Sequence, residues 1–358
     1  MPNNGDGECN ERRIRDMLGL VKFCLETTAK EDASGRTSTN FEAMDPDRRA
    51  WLQQAMESMT VDTTRQILEN LAIVKETISQ MEKDSSQNVA VQKTCDALGV
   101  LTDLCEEIDY ASDFAKLQGF TIFKPLIECS HEEMIVKACE LLAALAQNNP
   151  MCQMMTIDTR LLELLLDFVH IKEDQSNVKA RSYALYAISS IVRSNPEVLT
   201  HFETKLDGLT VLLHLLEFQP LDKMLDDKSK DDGKGSSVYW WRKLRIRSVF
   251  LFRTLCSESS NSSNYFYERQ AIKKLADQLT NSHDIEVREH LLHALKALIL
   301  SFDSTKRAEA LKLTPNLVKV IDDIKSSIPH TDDTASDYDL ADTRQTCAEL
   351  LKIIKMVT

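Results

Sequence analysis

Five stretches of the chain carry apolar residues at spacings of three and four: DALGVLTDLCEEID, ACELLAALAQNNP, ALYAISSIVRSNP, SVFLFRTLCSESS and LLHALKALILSFD. That period gives each stretch one buried face of an α-helix. Superposing their apolar anchors pairs Leu104, Leu145, Ile191, Leu255 and Leu298, with successive offsets of 41, 46, 64 and 43 residues. The long offset contains residues 221–238, LDKMLDDKSKDDGKGSSV, a charged stretch with few large apolar side chains that is not expected to pack as a core helix. Removing those 18 residues brings the offset back to 46. The pattern predicts five copies of one repeat, one of them carrying an insertion.

Two shorter apolar stretches lie between successive anchor helices. After Asn148 come the turn NNP and then MCQMMTI and LLELLLDFVHI; after Ser194 come SNP and then EVLTHFETK and LTVLLHLLEF. Pro directly after Asn marks a helix start at both places. Three helices in about 42–46 residues is the arithmetic of an armadillo repeat, and a unit that size cannot bury its apolar face without neighbours. The predicted fold is all-α: an armadillo-like right-handed superhelical solenoid with capping helices. Its expected divisions are a flexible segment at 1–43 with a short apolar motif, capping helices at 44–87, and repeats at 88–330 with the insertion at 221–238. An acidic linker and a C-terminal capping helix follow at 331–358.

Composition agrees with helix throughout, since 358 residues contain only 9 Gly and 8 Pro and aromatics make up 6%. A net charge of −13 opposes binding to phosphate backbones and anionic lipid, so neither nucleic acid nor membrane is expected as a partner. The nine cysteines include no C-x-x-C pair and mostly sit in apolar helical stretches, which points to a reducing, cytoplasmic setting. The start, MPNNGDGECN, has neither the basic nor the apolar part of a secretory signal. A monomer is expected. His290 and His293 share a helix face, but no H-E-x-x-H motif or cysteine pair accompanies them, so no metal is expected. No phosphate loop, nucleophile elbow or Cys/His dyad is recognisable, so the chain reads as a binding protein rather than an enzyme, with no cofactor. Tyr239, Trp240 and Trp241, next to Arg242 and Lys243, have the composition of a nucleic-acid stacking platform. The expectation is instead that they close the insertion onto the core.

Two segments resemble a known family. LTDLCEEIDYASDFAKLQGF, residues 101–120, is similar to the signature Leu-x-Asp-Leu-(Cys/Val)-Glu-x-(Ile/Met)-Asp-(Asn)-Ala-x-Asp-Phe of the heat-shock protein 70-binding protein family. MDPDRRAWLQQAME, residues 44–57, resembles the helix that precedes the repeats in that family. The chain departs from the pattern with Tyr110, where Asn is commoner, and with the long insertion. The resemblance implies a nucleotide exchange factor of the 70-kDa heat-shock chaperone. Its groove would hold one lobe of the chaperone's nucleotide-binding domain open, favouring the state that has lost ADP. The alternative is a general armadillo adaptor for an extended peptide. Such grooves carry a ladder of Trp and Asn, whereas the three Trp here are Trp51, Trp240 and Trp241.

The repeat offsets also align candidate groove residues. Ile135, Arg181, Arg245 and Arg288 form one column, and Lys137, Tyr183, Arg247 and His290 the next but one. The arginines suggest a basic strip suited to carboxylates of a partner. Asp109, Ala111 and Asp113 form a second candidate cluster, expected at the end of the first anchor helix. Near the N-terminus, Met17, Leu18, Leu20, Val21 and Phe23 are flanked by Arg12, Arg13, Arg15 and Lys22. Family relatives carry a segment here that competes with bound client peptide, so the resemblance implies a substrate mimic; the alternative is an amphipathic helix docked on the solenoid.

Overall fold

A computed structural model describes residues 51, 63–83, 90–170, 176–217, 236–328 and 337–356 of the 358-residue chain. The described part of residues 1–63, one of two compact units, is limited to Trp51 and Thr63. The second unit, Thr64–Thr358, holds the repeats. Every regular element among the described residues is helical.

The chain enters through α1, Thr63–Lys83, which buries Ile67, Leu71, Val74 and Ile78 along one face. Its Thr77 hydroxyl meets that of Thr94 at 2.9 Å. One long helix and two shorter ones then recur. The first copy is α2 (Val91–Cys105), α3 (Ile108–Lys116) and, after a 3-10 turn at Gly119–Ile122, α4 (Phe123–Ile127). The second is α5 (Glu132–Ala146), α6 (Pro150–Asp158) and α7 (Leu161–Val169). The third is α8 (Val178–Val192), α9 (Pro196–Thr204) and α10 (Gly208–Glu217). The fourth is α11 (Ser237–Glu258), α12 (Ser260–Glu268) and α13 (Ala271–Asn281), and the fifth is α14 (Ile285–Leu300), α15 (Ser304–Lys312) and α16 (Leu317–Ser327). A terminal helix, α17 (Asp337–Lys355), covers α14 and α16.

The long helices α2, α5, α8, α11 and α14 pack each on the next. Four of the five anchors, Leu145, Ile191, Leu255 and Leu298, are fully buried in one continuous apolar core, and Leu104 is half-buried against it. This is the stacking that the repeat pattern demands, because each helix hides its apolar face only under its neighbour.

The turns follow from local chemistry. Asn149 accepts a hydrogen bond from the Cys152 amide at 3.2 Å, with Pro150 opening α6. Asn195 does the same for the Glu197 and Val198 amides, with Pro196 opening α9. Asn supplies the capping oxygen, and Pro occupies a first-turn position whose N–H has no helical partner. Asn148 and Ser194, just before these caps, take positive φ values of 55° and 60° that end the preceding long helices. Ser259 and Asp303 cap the corresponding short helices of the later copies.

The charged stretch is shorter than its composition suggested. Ser236 caps α11, whose first turns bury Val238 and Trp241, so residues 236–238 belong to the core helix rather than to the insertion. Residues 218–235 lie outside the described residues.

Candidate functional site

The long helices expose one face, and repeat offsets identify the side chains along it. Lys137, Tyr183, Arg247 and His290 are all half-buried, on α5, α8, α11 and α14 respectively. The middle two are also in contact. The Arg247 guanidinium lies 4.7 Å from the Tyr183 ring centroid and 5.1 Å from that of Tyr186, and its Nη1 donates to Ser182 Oγ at 2.9 Å. Tyr183 packs against Trp240 at 5.6 Å, Trp240 meets Tyr239 edge-on at 5.0 Å, and Lys179 and Lys243 sit over these two rings. Cation–π contacts of this kind are each worth about 0.5–2 kcal/mol, more when shielded from water.

Charge along this face is arranged in pairs. Lys137 donates to Glu140 at 2.7 Å, which raises its pKa. Burial, then the charge of Glu140, raises the Tyr183 phenol, while burial lowers the Arg247 guanidinium. Arg247 nonetheless stays a cation at neutral pH. Across the next interface Arg242 pairs with Asp284 at 2.6 Å and with Glu286 at 3.1 Å, and Lys243 pairs with Glu286 at 2.9 Å. Burial holds His290 below its usual value, so its ring is neutral over most of the physiological range.

The other predicted column lies elsewhere. Ile135, Arg181 and Arg245 are buried, at 1%, 9% and 5% exposure, and only Arg288 is half-buried. Two residues earlier on a helix is a rotation of about 200°, which carries these side chains from the open face into the stack. The expected basic strip is therefore not a surface feature at Arg181 and Arg245. Asp109, Ala111 and Asp113 are on α3 rather than at the end of α2, because the chain breaks at Glu106 and Glu107. Asp109 is exposed in the first turn of α3, where its charge suits the helix dipole. Asp113 pairs with Lys116 at 2.9 Å, and Ala111 is buried in the core with its carbonyl facing the Cys152 thiol. Met17, Leu18, Leu20, Val21 and Phe23 lie outside the described residues.

Sequence reasoning missed the column three residues further on: Glu140, Tyr186, Phe250 and His293. The same offsets generate it, and i,i+3 neighbours share a helix face. The aromatic trio also resolves differently from expectation: Trp241 is core, whereas Tyr239 and Trp240 join the half-buried face. At the far end Glu289, His293 and Asp342 bring potential ligand atoms within 4.8 Å of one another. His293 Nε2 lies 3.2 Å from Asp342 Oδ2, which accounts for the cluster as a polar tie between α14 and α17. The positive charges of Arg253 and Lys296 act on the same imidazole and disfavour a metal cation there.

With this geometry in view, comparison with known proteins is informative. Residues 110–225 match the SIL1/FES1/HPBP1 C-terminal domain family. Hsp70-binding protein 1 of Mus musculus is 25% identical over 297 residues, covering 82% of this chain and 74% of the relative. The Hsp70 nucleotide exchange factor FES1 of Mycosarcoma maydis is 28% identical over 129 residues, covering 36% of this chain and 31% of that one. Among solved structures, a designed armadillo repeat protein superposes with a TM-score of 0.52 at 15% identity, over 78% of this chain and 98% of its own. The crystal structure of SYS-1 gives 0.56 at 15% identity, over 81% of this chain and 50% of that one. These likenesses establish the armadillo-like fold.

Proposed function

We propose that this chain, whose residues 110–225 match the SIL1/FES1/HPBP1 C-terminal domain family, is a nucleotide exchange factor of the 70-kDa heat-shock chaperone. The observation that carries the reading is the row of half-buried side chains Lys137, Tyr183, Arg247 and His290 on consecutive stacked helices, with Arg247 and Tyr183 at its centre joined by a cation–aromatic contact. A rigid row of this kind, on helices rather than loops, suits a folded lobe better than an extended peptide. Relatives at 25% and 28% identity bear the names Hsp70-binding protein 1 and Hsp70 nucleotide exchange factor, in agreement with this reading.

The mechanism is a difference in affinity. The open face binds the chaperone's nucleotide-binding domain more tightly when its lobes are apart, and the opened lobes hold ADP more weakly; by linkage the chain weakens ADP binding by the same factor by which ADP weakens binding of the chain. The chain contributes docking and makes no bond itself. No helix among the described residues is long and apolar enough to cross a membrane, and the chain acts beside its chaperone in the cytoplasm. The segment around Leu18, Leu20 and Phe23 assists by competing with bound client.

Release of fluorescent ADP from the chaperone tests this directly. Micromolar protein is expected to accelerate release without hydrolysing ATP, and an unchanged rate overturns the proposal. In the same assay with a labelled client peptide, replacing Leu18, Leu20 and Phe23 by Ser is expected to abolish peptide displacement while leaving ADP release intact.

A further inference from the structure

A cavity of about 580 Å³ opens between the ends of α2 and α5 and the middle of α8. Its walls include Glu106, Ile108, Glu140, Gln147, Tyr183 and Tyr186, and no lysine or arginine lines it. Asp103, Glu107 and Asp109, neighbours in the sequence of the lining residues Thr102, Glu106 and Ile108, are exposed. Lys137 partly neutralises Glu140, but among the described residues no cation pairs with Glu106. The exposed side chains Ile108 and Tyr186 give the cavity apolar edges.

We propose that this cavity is a subsite for one basic side chain of the docked protein, arginine above lysine; the proposal rests on the reading of the open face as a protein-docking surface. Three features select that chemistry. The wall offers two carboxylates and the acceptor oxygen of an amide, which match a guanidinium's fan of donors. Tyr183 and Tyr186 offer ring faces, and these rings already hold one guanidinium: Arg247 reaches them from α11, the neighbour on the side away from the cavity. An incoming arginine would meet the pair from the α5 side, with Glu106 and Glu140 supplying the balancing charge. Docking of a partner also excludes water there, which strengthens each of these contacts. Arginine is favoured over lysine because a planar group both stacks on phenol rings and donates two parallel bonds to a carboxylate.

The arrangement gives the docking face a direction. The first copies present an acidic pocket, whereas the middle copies present Lys179 and Arg247. A partner that placed an acidic surface on the first copies would meet repulsion from Glu106 and Glu140.

Two measurements test the subsite. The first titrates N-acetylarginine amide into the full chain carrying labelled tyrosines and follows their resonances by NMR. Saturable shifts at Tyr183 and Tyr186 are expected at millimolar ligand, with little response to N-acetylglutamine amide and a loss of at least tenfold in affinity in Glu106→Gln. Equal responses to both amides, or none to either, overturn the proposal. The second measures affinity for the chaperone's nucleotide-binding domain. Glu106→Gln is expected to weaken it about tenfold, and an unchanged affinity also overturns the subsite. If the wild-type chain does not bind that domain at all, the chaperone reading fails, and the arginine titration still decides what the cavity takes.

Discussion

At the scale of single residues, two arginines two positions apart do opposite jobs. Arg245 is 5% exposed inside the stack, whereas Arg247 lies half-buried over two tyrosines on the open face. Arg245→Glu would place a carboxylate in the core and is expected to cost about 3–5 kcal/mol, visible as a lowered Tm. Arg247→Ala removes a cation held by Tyr183, Tyr186 and Ser182, and is expected to weaken chaperone binding with a loss of at most about 2 kcal/mol in stability. A calorimetric melt and a binding titration on each variant separate the two. Equal effects of both variants on Tm would place Arg247 in the core with its neighbour. The thiols belong to this scale too: burial pushes Cys105, Cys139 and Cys152 up to about 12, so they act as small apolar fillers rather than nucleophiles.

At the scale of elements, the joints between short helices decide more than the helices themselves. Gln118, Arg160, Asp207 and Gln270 take positive φ at the same point of four successive copies. The next residue is Gly119 in the first copy and Gly208 in the third. A Cβ on Gly208 would sit 2.4 Å from the ring of Phe202, which is fully buried, and a Cβ on Gly119 would sit 2.3 Å from that of Phe114. Both rings are buried in the core. Gly208→Ala is therefore expected to destabilise by about 1–3 kcal/mol, read from urea unfolding. Combining it with Phe202→Leu should cost less than the sum of the two single changes, because the smaller side chain relieves the clash. Strict additivity would show that the glycine is needed for another reason. A buried polar tie spans the same region: Asn195 Nδ2 donates to Gln153 Oε1 at 3.0 Å, and Gln153 Nε2 donates to the Ser190 and Arg193 carbonyls. It locks the turn of the third copy onto the short helix of the second.

At the scale of the whole molecule, stability is a chain of neighbour contacts, and the ends lack one neighbour. The last interface joins the apolar face of α17, with Cys347, Leu350, Leu351 and Ile354 buried, to polar ties from His293 to Asp342 and from Lys296 to Glu349. Burial holds both His290 and His293 below the ordinary 6.5; the Arg253 charge lowers them further, and Glu286 and Asp342 oppose it. A histidine with a lowered folded pKa binds its proton more readily when unfolded. Stability is thus independent of these rings at higher pH and falls as pH drops through 6.5 toward the folded values. Melting the wild type and a His290→Asn/His293→Asn variant at about pH 8 and about pH 5.5 is expected to show a larger loss in the wild type. Equal losses would assign the acid sensitivity to the carboxylates instead.

Much of this architecture was legible in the chain. Apolar spacing located the five long helices and their anchors, because a 3.6-residue period is a local property. The N-N-P and S-N-P turns announced α6 and α9, because capping is settled within four residues. The repeat offsets aligned Lys137, Tyr183, Arg247 and His290, each of which is half-buried on its long helix. Sequence did not reveal which column of each helix remained open. An arginine column looks like a surface strip until the angle at which one helix lies on the next is known, and that angle is set by packing across repeats. The same limit explains Val238, whose flank of charge and glycine hid a buried first turn of α11. It also explains Ala111, placed beside two exposed acids in the chain and inside the core in space. Local chemistry fixed the helices and their ends; burial is decided by the neighbours each helix meets, and only the stacked structure supplies those.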